Sequence, residues 1–204
     1  MLISIHPEHP QGRRITQVVK LLQEGGVIIY PTDTVYGLGC DIQHPKAVDR
    51  ICRLRGFKPG RANLTFICRD IQQLANYTHQ IDNTVFRLLK RNLPGPFTFI
   101  LRGNNSLPKL LRNRRKTIGV RIPDNAIAQA IIAELGRPIL SISLKSDDEI
   151  TEYFTDPTEI HEDFQKLVDA VIDGGTGYNV PSTVVDCTGG EPQIIREGLG
   201  NLEF

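Results

Sequence analysis

Residues 31–39, with the sequence PTDTVYGLG, bring two threonines, a carboxylate, a tyrosine and two glycines together directly after an apolar run. The run, residues 27–30, is largely β-branched and ends at a proline, which predicts a buried strand that opens into a loop. Glycines allow a backbone to approach another group closely, so the loop is a candidate ligand-binding site. Polar loops after strands are common, and a tight turn that merely needs glycines is an equally good interpretation.

The two commonest nucleotide-binding motifs are absent from the sequence. It contains neither a Gly-x-x-x-x-Gly-Lys-Ser/Thr phosphate loop nor a Gly-x-Gly-x-x-Gly segment that opens a helix. A nucleotide site in this protein must therefore be built in another way. The four cysteines form no Cys-x-x-Cys pair, so we expect ordinary reduced thiols and no metal site. The five histidines are scattered, and none is assigned a catalytic role.

Four more segments follow the first in order: PGPFT at residues 94–98, GVRIP at 119–123, PSTVVD at 181–186 and REG at 196–198. Together with PTDTVYGLG they resemble the signature segments of the YrdC/YciO family, whose best-known members are L-threonylcarbamoyladenylate synthases that act in tRNA modification. The resemblance covers nearly the whole chain. It implies one domain over residues 1–204 with the YrdC/RibB-like fold, an α/β fold with a twisted mixed β-sheet flanked by helices.

The resemblance also implies a reaction. An open, concave face of the sheet, lined by basic and hydroxyl side chains, would hold ATP, L-threonine and bicarbonate and form threonylcarbamoyl-adenylate and pyrophosphate. ATP would carry a divalent cation such as Mg²⁺. This chemistry needs cations against the triphosphate, donors to the threonine carboxylate and a carbamate positioned beside the α-phosphate. The implied partners are RNA, either tRNA or double-stranded RNA, and proteins of tRNA modification, with no membrane.

Site residues follow from the same resemblance. The implied threonine-binding residues are Thr34, Arg121, Ser141 and Ser182. Arg121 is expected to bind a carboxylate through a bidentate pair of hydrogen bonds. The implied nucleotide-binding residues are Arg55, Lys58, Asn63, Thr117, Ser143, Lys145 and Arg196, with Arg196 as a phosphate ligand. For Thr117 and Asn63 a simple structural role is an equally good interpretation. No residue is assigned a catalytic role, and Tyr36 is interpreted as a packing residue of the loop.

Three departures from the family pattern resemble its YciO branch more than its YrdC branch. Active synthases commonly have Lys-x-Arg where this chain has Arg55-Gly56-Phe57, with Lys58 one place beyond. A later Ser-x-Asn is replaced by Ser143-Leu144-Lys145, and a histidine of the family falls at Cys68. We therefore expect either a synthase of weak activity or a non-catalytic protein that binds nucleotide or RNA. A structural partner of a tRNA-modifying complex is a third interpretation.

Two basic clusters bear on RNA binding. They comprise Arg50, Arg53, Arg55, Lys58 and Arg61, and Arg112, Arg114, Arg115 and Lys116. Such clusters can follow a phosphate backbone, but solvated helix faces are the alternative. For the second cluster we favour the solvated surface, because no aromatic residue is interleaved for base stacking.

Local patterns predict the elements that must position these residues. Helices are predicted at residues 13–26, 46–55, 70–74, 82–93 and 124–136 and from 156, and strands at 27–30, 64–68, 97–102, 117–122, 138–144, 168–172, 183–186 and 193–196. In the strand at 138–144, alternation puts Ser141 and Ser143 on one face. Strands interleaved with helices indicate an α/β domain built on one twisted, mixed sheet.

The composition fits one globular domain, because 204 residues with 40% hydrophobic and 23% charged residues suffice for a full core. A net charge of +1 neither requires nor excludes a polyanionic partner. The N-terminus lacks a basic segment followed by a long apolar one, and no stretch approaches about 18 consecutive apolar residues. These features predict a soluble, cytoplasmic protein.

Overall fold

The computed structural model describes residues 1–56, 64–108, 111, 116–145 and 153–204, and ten strands in this part of the chain form one sheet. The strands are β1 (Leu2–Ser4), β2 (Val27–Tyr30), β3 (Gly37–Asp41), β4 (Thr65–Ile67), β5 (Phe97–Arg102), β6 (Thr117–Arg121), β7 (Ile139–Ser143), β8 (Ala170–Asp173), β9 (Thr183–Asp186) and β10 (Gln193–Arg196). The helices are α1 (Gly12–Gln23), α2 (Pro45–Leu54), α3 (Ile71–Ala75), α4 (Asn83–Asn92), α5 (Ala126–Leu135) and α6 (Pro157–Phe164).

The sheet mixes parallel and antiparallel neighbours in the order β1-β8-β2-β3-β7-β4-β6-β5-β9-β10. Strand β8 pairs in parallel with β1 and β2, β4 with β6, and β5 with β9. The remaining neighbours are antiparallel. The predicted α/β domain with one mixed sheet is therefore confirmed.

Helices pack on both faces of the sheet. On one face, buried residues of α2 and α4 join Leu38, Phe66 and Phe99 in the larger hydrophobic cluster. On the other face, α1 and α5 pack against Ile28 and Tyr30 of β2 and against neighbouring strands. The second face carries no helix beyond this cluster among the described residues, and its far half, from β7 to β10, lines a cleft together with Gly37 of β3.

The helix ends follow their capping signals. The Asp82 carboxylate accepts hydrogen bonds from the Thr84 and Val85 amides at 2.9 Å each, and the Asn125 side chain accepts one from Ala128 at 3.0 Å. The sequence offers Asp82 or Asn83 as the N-cap of α4 and Asp124 or Asn125 as that of α5, and the structure has Asp82 and Asn125 in these positions. Gly136 ends α5 with a φ of 75°. No helix in the described ranges combines the length and the apolar character that crossing a bilayer requires.

Two strands depart from the sequence prediction. Strand β1 was not predicted, and residues 37–41, expected in part as a loop, form β3 between β2 and β7. Glycine has a low intrinsic preference for strands, so the local pattern of β3 indicated a turn. Pairing with strands on both sides overrides that preference, because it satisfies the backbone hydrogen bonds of a fully buried segment.

Candidate functional site

A cleft of about 460 Å³ lies on the half of the sheet face that α1 and α5 leave uncovered. Strand alternation selects which residues line it. In β6, Thr117, Gly119 and Arg121 face the cleft, whereas Ile118 and Val120 between them are buried in the larger cluster on the opposite face. The cleft is therefore a direct consequence of a sheet that is packed on one face and partly open on the other.

Most residues assigned to ligands by resemblance lie in this cleft. Its lining includes Arg55, Thr117, Arg121, Ser141, Ser143, Lys145, Ser182 and Arg196. Thr34 is fully buried beside Arg121 and does not belong to the lining. Lys58 and Asn63 lie outside the described residues, as do Arg61, Arg112, Arg114 and Arg115 of the basic clusters.

Arg121, at the end of β6, forms the floor of the cleft and is 6% exposed. Its Nη2 donates to the carboxylate of Asp33, to Thr34 Oγ1 at 2.6 Å and to Thr32 Oγ1 at 3.3 Å. The Asp33 partner was not predicted. The signal for it was a carboxylate between two threonines in the PTDT segment, but nothing local shows that this segment meets β6.

The loop after β2 is held in place by its own hydrogen bonds. Thr32 Oγ1 accepts from the Thr34 amide at 3.1 Å and donates to the Val35 carbonyl at 2.7 Å. The second carboxylate oxygen of Asp33 accepts from the Asp124 amide at 3.1 Å. These contacts fix the two threonines and the aspartate around one guanidinium, so the loop holds Arg121 in place.

Among the described residues, only Nη2 of the Arg121 guanidinium makes hydrogen bonds. Within the same part of the chain, its Nε is buried without a partner, and its Nη1, which is not fully buried, has none either. A buried donor without a partner costs about 1–3 kcal/mol, so such atoms are rare in folded proteins and call for a ligand or a strain explanation. Because Asp33 already compensates the charge, the floor of the cleft offers a directional donor more than a net positive potential.

Ser141 and Ser182, the two serines implied to bind L-threonine, each have another hydroxyl group beside them. Ser141 Oγ accepts a hydrogen bond from the Tyr30 phenol at 2.8 Å, and Ser182 Oγ lies 2.8 Å from Thr98 Oγ1. Arg196 Nη2 donates to the Ser182 carbonyl at 2.7 Å and to its Oγ at 3.3 Å. The Arg196 side chain, which the resemblance implies as a phosphate ligand, is thus hydrogen-bonded to Ser182 in this structure.

The end of the cleft beside α2 is cationic. Arg55 Nη1 donates to the Lys145 carbonyl at 3.2 Å, and its buried Nε has no partner within the described part of the chain. The Lys145 ammonium lies 5.3 Å from the centroid of the Tyr153 ring, a cation–π contact. Tyr153 was not singled out from the sequence, which gives no local sign of this pairing.

The glycines of β3 make room for side chains of the protein, and Gly37 also lines the cleft. From the sequence, a loop that approaches a ligand and a tight turn were equally good interpretations of these glycines. A Cβ at Gly39 would lie 2.8 Å from Tyr30 Cε1, and one at Gly37 would lie 2.9 Å from Ser141 Oγ and 3.2 Å from Tyr30 Cε1. The close approach is thus to side chains of the protein itself, because the Tyr30 ring crosses β3.

Tyr36, interpreted from the sequence as a packing residue, is fully buried, and its hydroxyl donates to the Gly175 carbonyl at 2.7 Å. It also contributes to the lining of the cleft. Burial raises the pKa of its phenol, so the group stays protonated near neutral pH.

The cysteines are free thiols, as predicted. Cys68, where the family pattern implied a histidine, is fully buried, lies outside the cleft lining and has its thiol pKa raised by that burial. In the described ranges, no three His, Cys, Asp or Glu side chains cluster as metal ligands would.

Comparisons with known proteins agree with this description. The family model Sua5_yciO_yrdC, described as "Telomere recombination", matches residues 20–198. The protein YciO of Escherichia coli (strain K12), described as uncharacterized, is 47% identical over 201 residues, which cover 98% of this chain and 96% of that protein. The threonylcarbamoyl-AMP synthase of Bacillus subtilis (strain 168) is 33% identical over 187 residues, or 91% of this chain and 53% of the synthase.

Solved structures show the same relationship. The crystal structure of E. coli YciO matches with a TM-score of 0.92 at 45% identity and covers 98% of this chain and 97% of that one. The structure of P. abyssi Sua5 complexed with L-threonine matches with a TM-score of 0.87 at 30% identity, over 97% of this chain and 57% of that one.

Proposed function

The chain belongs to the Sua5/YciO/YrdC family, and from that premise we propose that it is an L-threonylcarbamoyladenylate synthase-like enzyme that uses ATP, L-threonine and bicarbonate. One observation carries the proposal. The Arg121 guanidinium is held at the floor of the cleft by bonds from Nη2 to Asp33 and two threonines, yet its Nη1, which is not fully buried, has no partner among the described residues. A carboxylate oxygen in the cleft would accept a hydrogen bond from this nitrogen.

The proposed reaction has two steps. The amino nitrogen of L-threonine attacks the carbon of bicarbonate, a C–N bond forms and water leaves, which yields the threonine carbamate. A carbamate oxygen then attacks the α-phosphate of ATP, the bond from the α-phosphorus to the α–β bridging oxygen breaks, and pyrophosphate leaves. The cleft would act by holding the reactants together and by placing donors where negative charge develops.

The lining suggests a division of the cleft between the two ligands. L-Threonine would lie at the floor, with its carboxylate on Arg121 Nη1 and with the hydroxyls of Ser141 and Ser182 in reach. The phosphates of ATP would lie toward Arg55, Lys145 and Arg196, accompanied by a divalent cation such as Mg²⁺. Because threonylcarbamoyl-adenylate is labile, it would have to be passed on soon after it forms. The proposal therefore includes an RNA acceptor and proteins that present tRNA.

A non-catalytic nucleotide- or RNA-binding protein is the second candidate. The observation that favours it is Lys145, which stands in the cleft where the resemblance implies a neutral amide and whose ammonium contacts the Tyr153 ring. A lysine bound to phosphate as a point charge would hold a nucleotide without orienting it for attack. Such a protein would bind ligands in the cleft without forming threonylcarbamoyl-adenylate.

Isothermal titration calorimetry of the full chain with L-threonine separates the candidates. We expect L-threonine to bind, and to bind more tightly in the presence of a non-hydrolysable ATP analogue, because both ligands share one cleft. D-Threonine should bind more weakly, because it cannot direct its carboxylate, amine and hydroxyl to the same partners. Binding of the analogue without any binding of L-threonine would contradict the synthase and favour the nucleotide-binding protein.

A further inference from the structure

Tyr30 reaches from one strand across its neighbour to a third. It ends β2, where it pairs with Gly37 of β3, and its fully buried ring passes over β3. Its phenol O–H donates to Ser141 Oγ on β7 at 2.8 Å. The two glycines of β3 make this possible, since a Cβ at Gly39 would come within 2.8 Å of the ring.

The direction of this hydrogen bond decides what Ser141 can offer a ligand. A serine hydroxyl has one proton to donate and two lone pairs that accept. Because its oxygen accepts from Tyr30, the Ser141 proton remains available for a group in the cleft, and no described residue takes it. Burial raises the pKa of Tyr30 to about 12, so the phenol remains a donor throughout the neutral range.

Ser141 shares its face of the sheet with Arg121. It pairs with Thr65 on β4, which in turn pairs with Gly119 on β6, two residues before Arg121. Alternation therefore puts Ser141 and Arg121 on the cleft side, two strands apart. Both present hydrogen-bond donors, and both suit the oxygens of one small ligand.

We propose that Tyr30 is a positioning residue: acting through Ser141, it fixes a hydrogen-bond donor that faces the cleft and makes this position selective for an oxygen acceptor, such as the carboxylate or carbonyl oxygen of the substrate. The inference rests on the proposed function, because it takes L-threonine as the ligand. It adds a residue that lies outside the cleft lining and touches no substrate.

A double-mutant cycle tests the coupling. Tyr30→Phe keeps the ring that packs on β3 and removes only the hydroxyl, and Ser141→Ala removes the donor itself. By calorimetry, we expect Tyr30→Phe to weaken L-threonine binding about 3- to 10-fold, as the loss of one well-placed hydrogen bond would. The double variant should bind L-threonine no more weakly than Ser141→Ala alone, and the affinity for ATP should be unchanged in all three.

Tyr77→Phe is the matched control. Tyr77 is half-buried, packs edge-on against Phe66 with ring centroids 5.4 Å apart and lies outside the cleft lining, so its loss of a hydroxyl should leave L-threonine binding unchanged. Circular dichroism melts confirm that each variant is folded.

The outcomes separate the two proposals. If the parent binds L-threonine and Tyr30→Phe binds it equally well, or if the losses from Tyr30→Phe and Ser141→Ala simply add, the role of Tyr30 is wrong while the proposed function stands. If the parent protein binds no L-threonine, the proposed function is wrong, and the role given to Tyr30 is wrong with it.

Discussion

Arg121 and Asp33 form an ion pair at the floor of the cleft, and their side chains are only 7% and 9% exposed. The pair joins the end of β6 to the loop after β2, across 88 residues of sequence. Water screens neither charge well, so each depends on the other for compensation. The Arg121–Asp33 ion pair therefore contributes both to the stability of the fold and to the position of Arg121 in the cleft.

Replacing Arg121 with alanine should lower the stability of the protein and abolish L-threonine binding. Asp33 would remain as an uncompensated, nearly buried charge, and breaking such a pair costs about 3–5 kcal/mol of the free energy of unfolding. Losing a buried charge-assisted contact to a ligand carboxylate costs about 2–5 kcal/mol of binding free energy. Urea denaturation and calorimetry measure the two effects.

Two further variants sharpen this experiment. Arg121→Lys keeps the charge and loses the planar fork, so it should retain more of the stability than of the affinity. Arg137→Ala removes a comparable pair outside the cleft lining, since Arg137 Nε donates to both oxygens of the fully buried Asp41 at 2.8 and 3.0 Å. It should lose stability and keep L-threonine affinity. Unchanged L-threonine affinity in Arg121→Ala would remove Arg121 from the site.

Replacing Lys145 with alanine should weaken ATP binding by about 1.5–3 kcal/mol, the range for a hydrogen bond to a charged group. The affinity should also depend less on salt, because one cation fewer neutralises phosphate. Lys58, which lies outside the described residues, is predicted from the sequence to share this task, so the Lys145→Ala/Lys58→Ala variant should lose more. Titrations with ATP at two salt concentrations measure both quantities.

Lys20→Ala controls for the loss of a positive charge alone. Its side chain is 72% exposed on α1 and pairs with Glu24 at 4.0 Å, so ATP binding should not change. If the double lysine variant binds ATP as well as the parent at low salt, these lysines do not contact the phosphates and the cleft serves another ligand.

Much of the fold was predictable because its signals are local. The strands β9 and β10 have the bounds that the sequence predicted, and Asp82 and Asn125 cap helices where short side chains precede an amphipathic pattern. Alternation in β7 put Ser141 and Ser143 on one face, and both residues line the cleft. These inferences need only the spacing of neighbouring residues.

The contacts that shape the site were not predictable in this way. Tyr30 contacts Ser141 across 111 residues of sequence, and Arg121 contacts Asp33 across 88. Both contacts depend on the strand order, which no local pattern encodes. Strand β3 was missed because its glycines indicate a turn locally, whereas they are needed only once the Tyr30 ring lies across them.

Gly39→Ala should destabilise the protein and weaken L-threonine binding together. The new Cβ would lie 2.8 Å from both Tyr30 Cε1 and Ile139 Cγ2, and such overpacking costs about 1–3 kcal/mol of the free energy of unfolding. Displacement of the ring would also break the hydrogen bond to Ser141. Gly12→Ala, with nothing within 4 Å of the added Cβ, should instead leave stability equal or higher. A Gly39→Ala protein as stable as the parent would contradict the packing described for Tyr30.

The thiols should resist alkylation in the folded protein. Burial raises the pKa of Cys40, Cys52 and Cys68, and that of Cys187 to about 12. A raised pKa means less of the reactive thiolate at pH 8, so the reaction is slower than for a free cysteine. Mass spectrometry after iodoacetamide treatment should show unmodified folded protein and four modified cysteines in urea. Rapid modification of Cys187 in the folded state would contradict this.

Pyrophosphate release from ATP tests the proposed synthase most directly. The full chain is incubated with Mg²⁺-ATP, L-threonine and bicarbonate, and with mixtures that omit each in turn, and Arg121→Lys serves as the site variant. We expect pyrophosphate and threonylcarbamoyl-adenylate only when all three substrates are present, with a lower rate in Arg121→Lys. Release that is equally fast without L-threonine, or no release although ATP binds, would contradict the proposed synthase.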